Sequence, residues 1–215
     1  EEIIITEGNS KAIDSNQVII AEKFTYNKIL KILNAKNDVK IENKQDDYLI
    51  ETEELTYLKN EGKIFTTGNT KAIIESKYQI ESKNVLYILD NKELTSKFKS
   101  VLKDNNSQIY YVDEFIFLMK KNILKGKKIL TITNYNLPKS DKFYFSDAII
   151  NLDDGKFVGK DTKITVHNDI FSNSNNDPRI YGVSSKGDRD SSVLDKAIFT
   201  SCKKNDNCPP WSIKA

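Results

Sequence analysis

Residues 48–57, which read YLIETEELTY, decide the fold of this chain. Tyr48, Ile50 and Thr52 share one parity and alternate with Leu49, Glu51 and Glu53. This period of two, rich in aromatic and β-branched residues, is typical of a strand with one buried face. The apolar positions change parity between Ile50 and Leu55, as one inserted residue would cause. The stretch therefore predicts a β-strand with a bulge near residues 53–54.

The end of this stretch recurs along the chain. A four-residue pattern, polar–apolar–any–aromatic, occupies residues 23–26, 54–57, 84–87 and 114–117, with a fainter copy at 148–151. The last positions, 26, 57, 87, 117 and 151, are separated by 31, 30, 30 and 34 residues. A second segment matches between residues 3–10, 32–39 and 64–70. Thirty residues hold two or three strands but no crossover helix, so we predict a meander or solenoid-like stack of β repeats.

Turns and loops are predicted where glycine and polar residues cluster. Gly62, Gly126 and Gly155 lie in such segments and predict turns between strands. Toward the C-terminus, residues 168–177 and 184–190 are predicted polar loops. Short strands are expected at residues 179–183 and 193–200. Residues 96–103 alternate, which favours a strand over a helix.

Composition excludes several classes of protein. The chain has 33 Lys and Arg against 31 Asp and Glu, and only two of the basic residues, Arg179 and Arg189, are arginine. This balance argues against a nucleic-acid binder, which usually carries a clear basic excess. No apolar run approaches the roughly 18–20 residues of a membrane span. The first five residues lack the basic region of a signal peptide, so the chain is either cytosolic or already processed.

Catalytic chemistry is scarce. The one histidine, His167, is predicted to be an exposed or edge-strand imidazole. The acidic pairs at residues 46–47 and 153–154 lie in turn contexts, and no phosphate loop, zinc spacing or nucleophile elbow is present. We therefore expect no enzyme activity, no cofactor and no metal.

Two cysteines, Cys202 and Cys208, lie close together near the C-terminus. A zinc site would need about four ligands, which these two thiols do not supply. They are either structural thiols in a reducing compartment or disulfide partners in an oxidising one. The disulfide, with each other or with cysteines outside this chain, is the preferred interpretation.

Two stretches resemble a known family. Residues 32–41, ILNAKNDVKI, followed by EELTY at 53–57, resemble the repeat of the OstA-like superfamily of lipopolysaccharide-transport proteins, and the resemblance covers about residues 3–160. Asn37-Asp38 stands where that repeat usually has Gly-Asn. The tail over residues 179–215, with YGVSS, FTSC and CPPWSIKA, resembles the part of the LptD branch that leads toward its outer-membrane barrel.

The resemblance implies an all-β fold, an open V-shaped β-jellyroll (β-taco) of about 30-residue antiparallel repeats. It implies one periplasmic domain over residues 1–215, with an irregular part at 161–215 leading toward a barrel outside this chain. At the periplasmic face of the outer membrane, such a domain receives lipopolysaccharide from a bridge protein of the same fold. It shields the acyl chains in an apolar groove and passes them to the barrel of its own chain and the barrel's plug lipoprotein.

The repeat pattern also assigns a groove lining. The assigned residues are Val18, Ile20, Phe24, Tyr26, Ile32, Val39, Ile41, Ile50, Leu55, Tyr57, Ile64, Val85 and Tyr87. Family members link this domain to the barrel by disulfides, so barrel partners compete with a Cys202–Cys208 pair. Two alternatives stay open: the periplasmic bridge protein of the same fold, and a closed β-solenoid that serves as a structural or binding module without a lipid groove.

Overall fold

A computed structural model describes residues 2–14, 16–171, 176–203 and 212–215, with only the backbone at residue 169. The described residues are organised almost entirely in strands, with short 3-10 turns at Lys59–Glu61, Met119–Lys121 and Asn168–Phe171. The predicted all-β class is confirmed. None of the helical segments in these residues is long and apolar enough to cross a membrane.

The described strands are numbered in chain order. They are β1 Ile3–Asp14, β2 Gln17–Asn27, β3 Ile32–Asn43, β4 Tyr48–Leu58, β5 Lys63–Ile74, β6 Tyr78–Lys83, β7 Leu86–Ile88, β8 Glu93–Ser96, β9 Ser100–Asp104, β10 Ile109–Val112, β11 Glu114–Leu118, β12 Ile123–Ile132, β13 Lys142–Asn151, β14 Phe157–Thr165, β15 Arg179–Gly187, β16 Ser192–Asp195, β17 Ile198–Thr200 and β18 Ile213–Lys214. They belong to two compact units. Unit 1 comprises Glu1–Lys103 and Glu114–Lys121, and unit 2 comprises Asp104–Asp113 and Asn122–Ala215. The single domain expected over residues 1–215 stays a prediction.

Unit 1 is built around five long antiparallel strands. Strands β1 to β5 pair in sequence order, and β5 then pairs with β6 along its second half and with β7 along its first. Each of the four long pairings shifts register near its middle. The shift between β4 and β5 falls at Thr52/Glu54, so the predicted bulge is confirmed in position. The extra residue lies on the partner strand β5. Two residues separate Thr67 from Thr70 in β5, whereas one residue separates Thr52 from Glu54 in β4.

Left-handed backbone marks these shifts. Gly8 and Gly68 have φ of +80° and +88°, and Asn37 and Asp38 have φ of +63° and +50°. Glycine enters this region freely, and asparagine and aspartate tolerate it better than most residues. Asn37-Asp38 therefore takes a positive φ at both residues, as Gly8-Asn9 does, and the register shift is in place there without a glycine.

The register shifts divide each long strand into halves that form two layers. Layer A contains residues 3–7, 23–27, 32–36, 54–58 and 63–67 together with β7, β8 and β11, and layer B contains residues 10–14, 17–21, 39–43, 48–52 and 70–74 together with β6. Tyr48 of layer B meets Tyr87 of layer A edge to face, with ring centroids 5.2 Å apart. Tyr78 and Phe117 make a second such contact at 5.5 Å. The apolar interior of unit 1 lies between these layers.

Unit 2 is a second antiparallel arrangement. Strands β12 to β15 pair in sequence order, β10 pairs with β12, and β15 pairs with both β16 and β17. The predicted turn at Gly126 is wrong, because this glycine lies inside β12 opposite Ala148. The predicted loop at residues 184–190 is wrong in its first half, since β15 continues to Gly187. Ser185 is buried there, and its Oγ lies 2.6 Å from Oγ1 of Thr162. The serine hydroxyl, which suggested a polar loop, is therefore hydrogen-bonded within the sheet.

Candidate functional site

The apolar interior of unit 1 is the candidate site. Every strand of unit 1 after β1 contributes at least one buried side chain. Nine of the residues assigned to the groove lining are buried: Phe24, Val39, Ile41, Ile50, Leu55, Tyr57, Ile64, Val85 and Tyr87. Ile41 and Ile64 have no exposed surface, and Tyr26 is half-buried on the face of Phe24. Their contact with a lipid stays a prediction.

Three assigned residues lie on the opposite face. Val18 and Ile20 alternate with the buried Ile19 and Ala21, and Ile32 precedes the buried Leu33. The assignment assumed that the even-numbered residues point inward along the whole of β2. The register shift between Ile20 and Lys23 instead moves the buried face from odd to even positions. Ile32 is opposite Leu58, on the outer face of β4. The inward residues that were missed are therefore Ile19, Ala21 and Leu33, together with Ala35.

The two layers are bridged at the strand ends away from the shifts. Tyr57 of layer A donates its hydroxyl hydrogen to Oδ2 of Asp14 at 3.0 Å, and Nζ of Lys59 donates to Oδ1 at 2.9 Å. Lys92 and Asp46 form a second ion pair between turns. The hydrogen bond from Lys59 lowers the pKa of Asp14. Burial, followed by the bond to Asp14, raises the pKa of Tyr57, so this phenol stays neutral and donates.

A buried tyrosine closes the adjacent strand end. The Tyr48 hydroxyl donates to Oε1 of Gln17 at 2.7 Å, within layer B. Burial raises the pKa of Tyr48 to about 12. Both side chains are buried, and the phenol remains a neutral hydrogen-bond donor at any physiological pH. The interior is thus apolar in its middle and hydrogen-bonded at this end.

Buried hydroxyls line the register shifts. Oγ1 of Thr70 lies 2.7 Å from that of Thr66 and 3.2 Å from that of Thr52, and the Val85 N–H donates to Thr66 Oγ1 at 2.8 Å. These side chains satisfy polar groups where the ladder is interrupted. Sequence reasoning placed Thr52 on the buried face but missed this network. Thr66, two residues from Ile64 in an alternating strand, carried the same signal.

An acidic concavity borders the register shifts of unit 1. It measures about 820 Å³, and its lining includes Asp38, Glu51, Glu53, Glu54 and Glu81. Some of these carboxylates already have partners, since Glu54 pairs with Lys36 at 3.2 Å and Glu53 accepts from the Asn69 N–H at 3.2 Å. Within the described ranges, no group of three or more His, Cys, Asp or Glu side chains could hold a metal ion.

The candidates His167, Asp153 and Cys202 belong to unit 2. His167 follows the end of β14, and its Nδ1 lies 2.9 Å from Oδ1 of Asp141. Asp153 lies in a turn and accepts from Asn122 Nδ2 at 3.0 Å. Cys202 is buried, and its carbonyl accepts a hydrogen bond from Arg179. Cys208 lies outside the described residues, so its pairing with Cys202 stays a prediction.

The chain matches no known family model, and no curated protein is significantly similar to it. The resemblance to the OstA-like repeat thus stays a prediction carried by residues 32–41 and 53–57 and by the tail. The enclosed interior of unit 1 is the feature that a function must explain.

Proposed function

We propose that this chain is the periplasmic, lipopolysaccharide-receiving domain of an LptD-like outer-membrane protein, a β-jellyroll of about 30-residue repeats that takes an open V shape when its two layers part. It accepts lipopolysaccharide from a bridge protein of the same fold, shields the acyl chains, and delivers them to the outer-membrane barrel of its own chain and the plug lipoprotein. One observation carries the proposal: the two layers of unit 1 enclose an apolar interior, and strands β2 to β8 and β11 each contribute at least one buried side chain to these layers. Each methylene left in water costs about 0.8 kcal/mol, so several acyl chains need such shielding.

Acyl chains enter this interior by parting the two layers where the turns meet. The ion pairs that join the layers there are Lys59–Asp14 and Lys92–Asp46, and the Tyr57 hydroxyl adds a hydrogen bond to Asp14. All four side chains are partly exposed, and such pairs contribute roughly 0–1 kcal/mol each. The two ion pairs therefore oppose opening only weakly, and the larger cost is the exposure of the buried Tyr48–Tyr87 contact. Strand β1, in which no residue is fully buried, is the candidate edge for the bridge protein.

The second candidate function is a closed structural or binding module without a lipid groove. It is favoured by the complete enclosure of Ile41 and Ile64, which is typical of an ordinary core. In this case, the layers never part and the interior only stabilises the fold. A bridge protein of the same fold remains the alternative within the family, and the cysteine-containing tail argues against it.

Site-specific photo-crosslinking distinguishes these functions. A photoreactive residue is introduced at Ile50 or Tyr57, which point inward, and at Lys40 or Glu51, which lie on the outer face. The conduit predicts lipopolysaccharide adducts from the inward pair and none from the outward pair. Adducts from the outward pair alone would show that the groove assignment is wrong, and adducts from neither pair would favour the closed module.

A charge placed inside the interior gives a second test. Leu55→Glu puts a carboxylate among buried side chains of layer A, where acyl chains are expected. The conduit predicts that lipid loading falls more steeply than the fraction of folded protein, measured by circular dichroism on the same samples. Loss of folding without any separate loss of loading would mark position 55 as sealed core.

A further inference from the structure

Unit 2 contains a cavity of its own, with a volume of about 440 Å³. This volume falls within the range of about 300–1,000 Å³ typical of ligand pockets. Three phenylalanines form its apolar wall, and each contacts the other two. The ring centroids of Phe145 and Phe157 are 5.3 Å apart, and Phe143 lies 6.5 Å from Phe145 and 6.1 Å from Phe157.

The aromatic wall depends on one glycine. A Cβ at Gly159 of β14 would come within 2.3 Å of Cδ1 of Phe145. Real Cβ atoms do not approach a ring carbon so closely, so the ring lies in space that any other residue would fill. Phe145 is itself buried, whereas Phe143, two residues earlier on the same face of β13, is half-buried. The wall is therefore fixed at Phe145 and more accessible at Phe143.

The polar part of the lining contains amides and a few charges. The amide side chains are Asn106, Gln108 and Asn134. The charged ones are two carboxylates, Asp141 and Asp188, and one guanidinium, Arg189. The guanidinium is partly engaged, since Nη2 of Arg189 donates to the Asp153 carbonyl at 2.5 Å. Asp188 accepts hydrogen bonds from two backbone N–H groups, which lower its pKa and keep it ionised. The lining side chains thus include one carboxylate more than guanidinium, and Asp141 is also 2.9 Å from Nδ1 of His167. This excess of one carboxylate disfavours an anionic head group.

We propose that this cavity of unit 2 binds the hydrocarbon chain of an amphiphile whose head group is uncharged. The chain lies against the three phenylalanine rings, and the head hydrogen-bonds to the amide side chains. The ligand class follows from an aromatic wall combined with a lining whose carboxylates outnumber its guanidinium. The inference does not rest on the conduit, because every residue assigned to the conduit's groove belongs to unit 1.

Binding is measured on the full chain with the uncharged fluorescent probe N-phenyl-1-naphthylamine. Dodecyl maltoside and laurate, kept below their critical micelle concentrations, compete for the probe at pH 7. The expected result is saturable probe binding, displaced by dodecyl maltoside at a concentration at least ten times lower than by laurate. Absence of saturable binding, or equal potency of the two competitors, would overturn the proposal.

Variants locate the site. Phe143→Glu places a carboxylate on the accessible part of the wall and is expected to weaken probe binding at least tenfold. Phe98→Glu changes an exposed phenylalanine of unit 1 and is the matched control, with unchanged binding expected. An equal effect of both variants would contradict the location. Asp188→Asn, which keeps the Oδ1 acceptor, is expected to strengthen laurate binding at least threefold and to leave dodecyl maltoside unchanged. The Asp188→Asn variant tests the proposal even if Phe143→Glu does not fold. An unchanged affinity for laurate would refute the charge argument.

Discussion

The same substitution, threonine to valine, is expected to have opposite effects at two buried positions. Thr66 Oγ1 accepts the Val85 N–H at 2.8 Å and lies 2.7 Å from the hydroxyl of Thr70. Thr131 is also buried, at 6% exposure, but its Oγ1 has no hydrogen-bond partner within the described part of the chain. The two side chains are equally buried and differ in hydrogen bonding, and Thr131 also lines the cavity of unit 2.

The magnitudes follow from these contacts. Thr66→Val leaves the buried Val85 N–H without this acceptor, which costs about 2 kcal/mol. Thr131→Val removes a hydroxyl that is buried without compensation and is expected to stabilise unit 2 by about 1 kcal/mol. Urea denaturation checks both values, with hydrogen exchange of peptides from unit 1 and unit 2 reporting each unit separately. For a urea m-value of about 1–2 kcal/mol/M, Thr66→Val lowers the midpoint of unit 1 by roughly 1–2 M.

Thr25→Val, at a half-buried position of β2, is the control and is expected to change the free energy of unfolding by less than about 0.5 kcal/mol. A neutral result for Thr66→Val would show that its hydroxyl does not sustain the interrupted ladder. Destabilisation by Thr131→Val comparable to that of Thr66→Val would show that the Thr131 hydroxyl is hydrogen-bonded in solution. Either result refutes the reasoning.

Three further predictions concern stability. Ile64→Ala is expected to destabilise unit 1 by about 2–5 kcal/mol in urea denaturation. Ile73→Ala, at 41% exposure, is expected to lower the free energy of unfolding by well under half as much. Equal losses of stability would contradict the enclosed interior. Because the folded-state pKa of Asp14 is lowered, its contribution is present above the ordinary pKa of 3.8 and is lost as pH falls through the folded value. The stability difference between wild type and Asp14→Asn, at most about 1 kcal/mol for this partly exposed pair, should therefore shrink below about pH 4, and a difference that grows in acid would reverse the sign. Gly68→Ala and Gly8→Ala both place alanine at a positive φ, of +88° and +80°, but a Cβ at Gly68 also displaces the Glu53 carboxylate that accepts the Asn69 N–H. Gly68→Ala should therefore lower the melting temperature more than Gly8→Ala, whose Cβ meets no atom within 4 Å.

The candidate site shows where sequence reasoning succeeds and where it stops. Alternation within 48–57 correctly predicted the buried face of β4 on both sides of its bulge, because side chains in a strand point to opposite faces with a period of two. The same rule failed at Val18 and Ile20, because the sequence of β2 contains no residue that indicates its register shift. Residues 21 and 22, where the shift occurs, do not include a glycine. A shift imposed by the neighbouring strand reverses the faces without leaving a local signal.

Local chemistry alone determined the class of this protein. Period-two alternation is a property of residues that are neighbours in the sequence, and so is the tolerance of a residue for left-handed backbone. These two signals were sufficient to predict the all-β class and the bulge near residues 53–54. The tertiary structure decided which face is buried in β2, which hydroxyls meet at the register shifts, and which side chains enclose the cavity of unit 2. Those outcomes depend on the partner strand. Tyr48 reaches Tyr87, and Tyr57 reaches Asp14, only after the layers have formed.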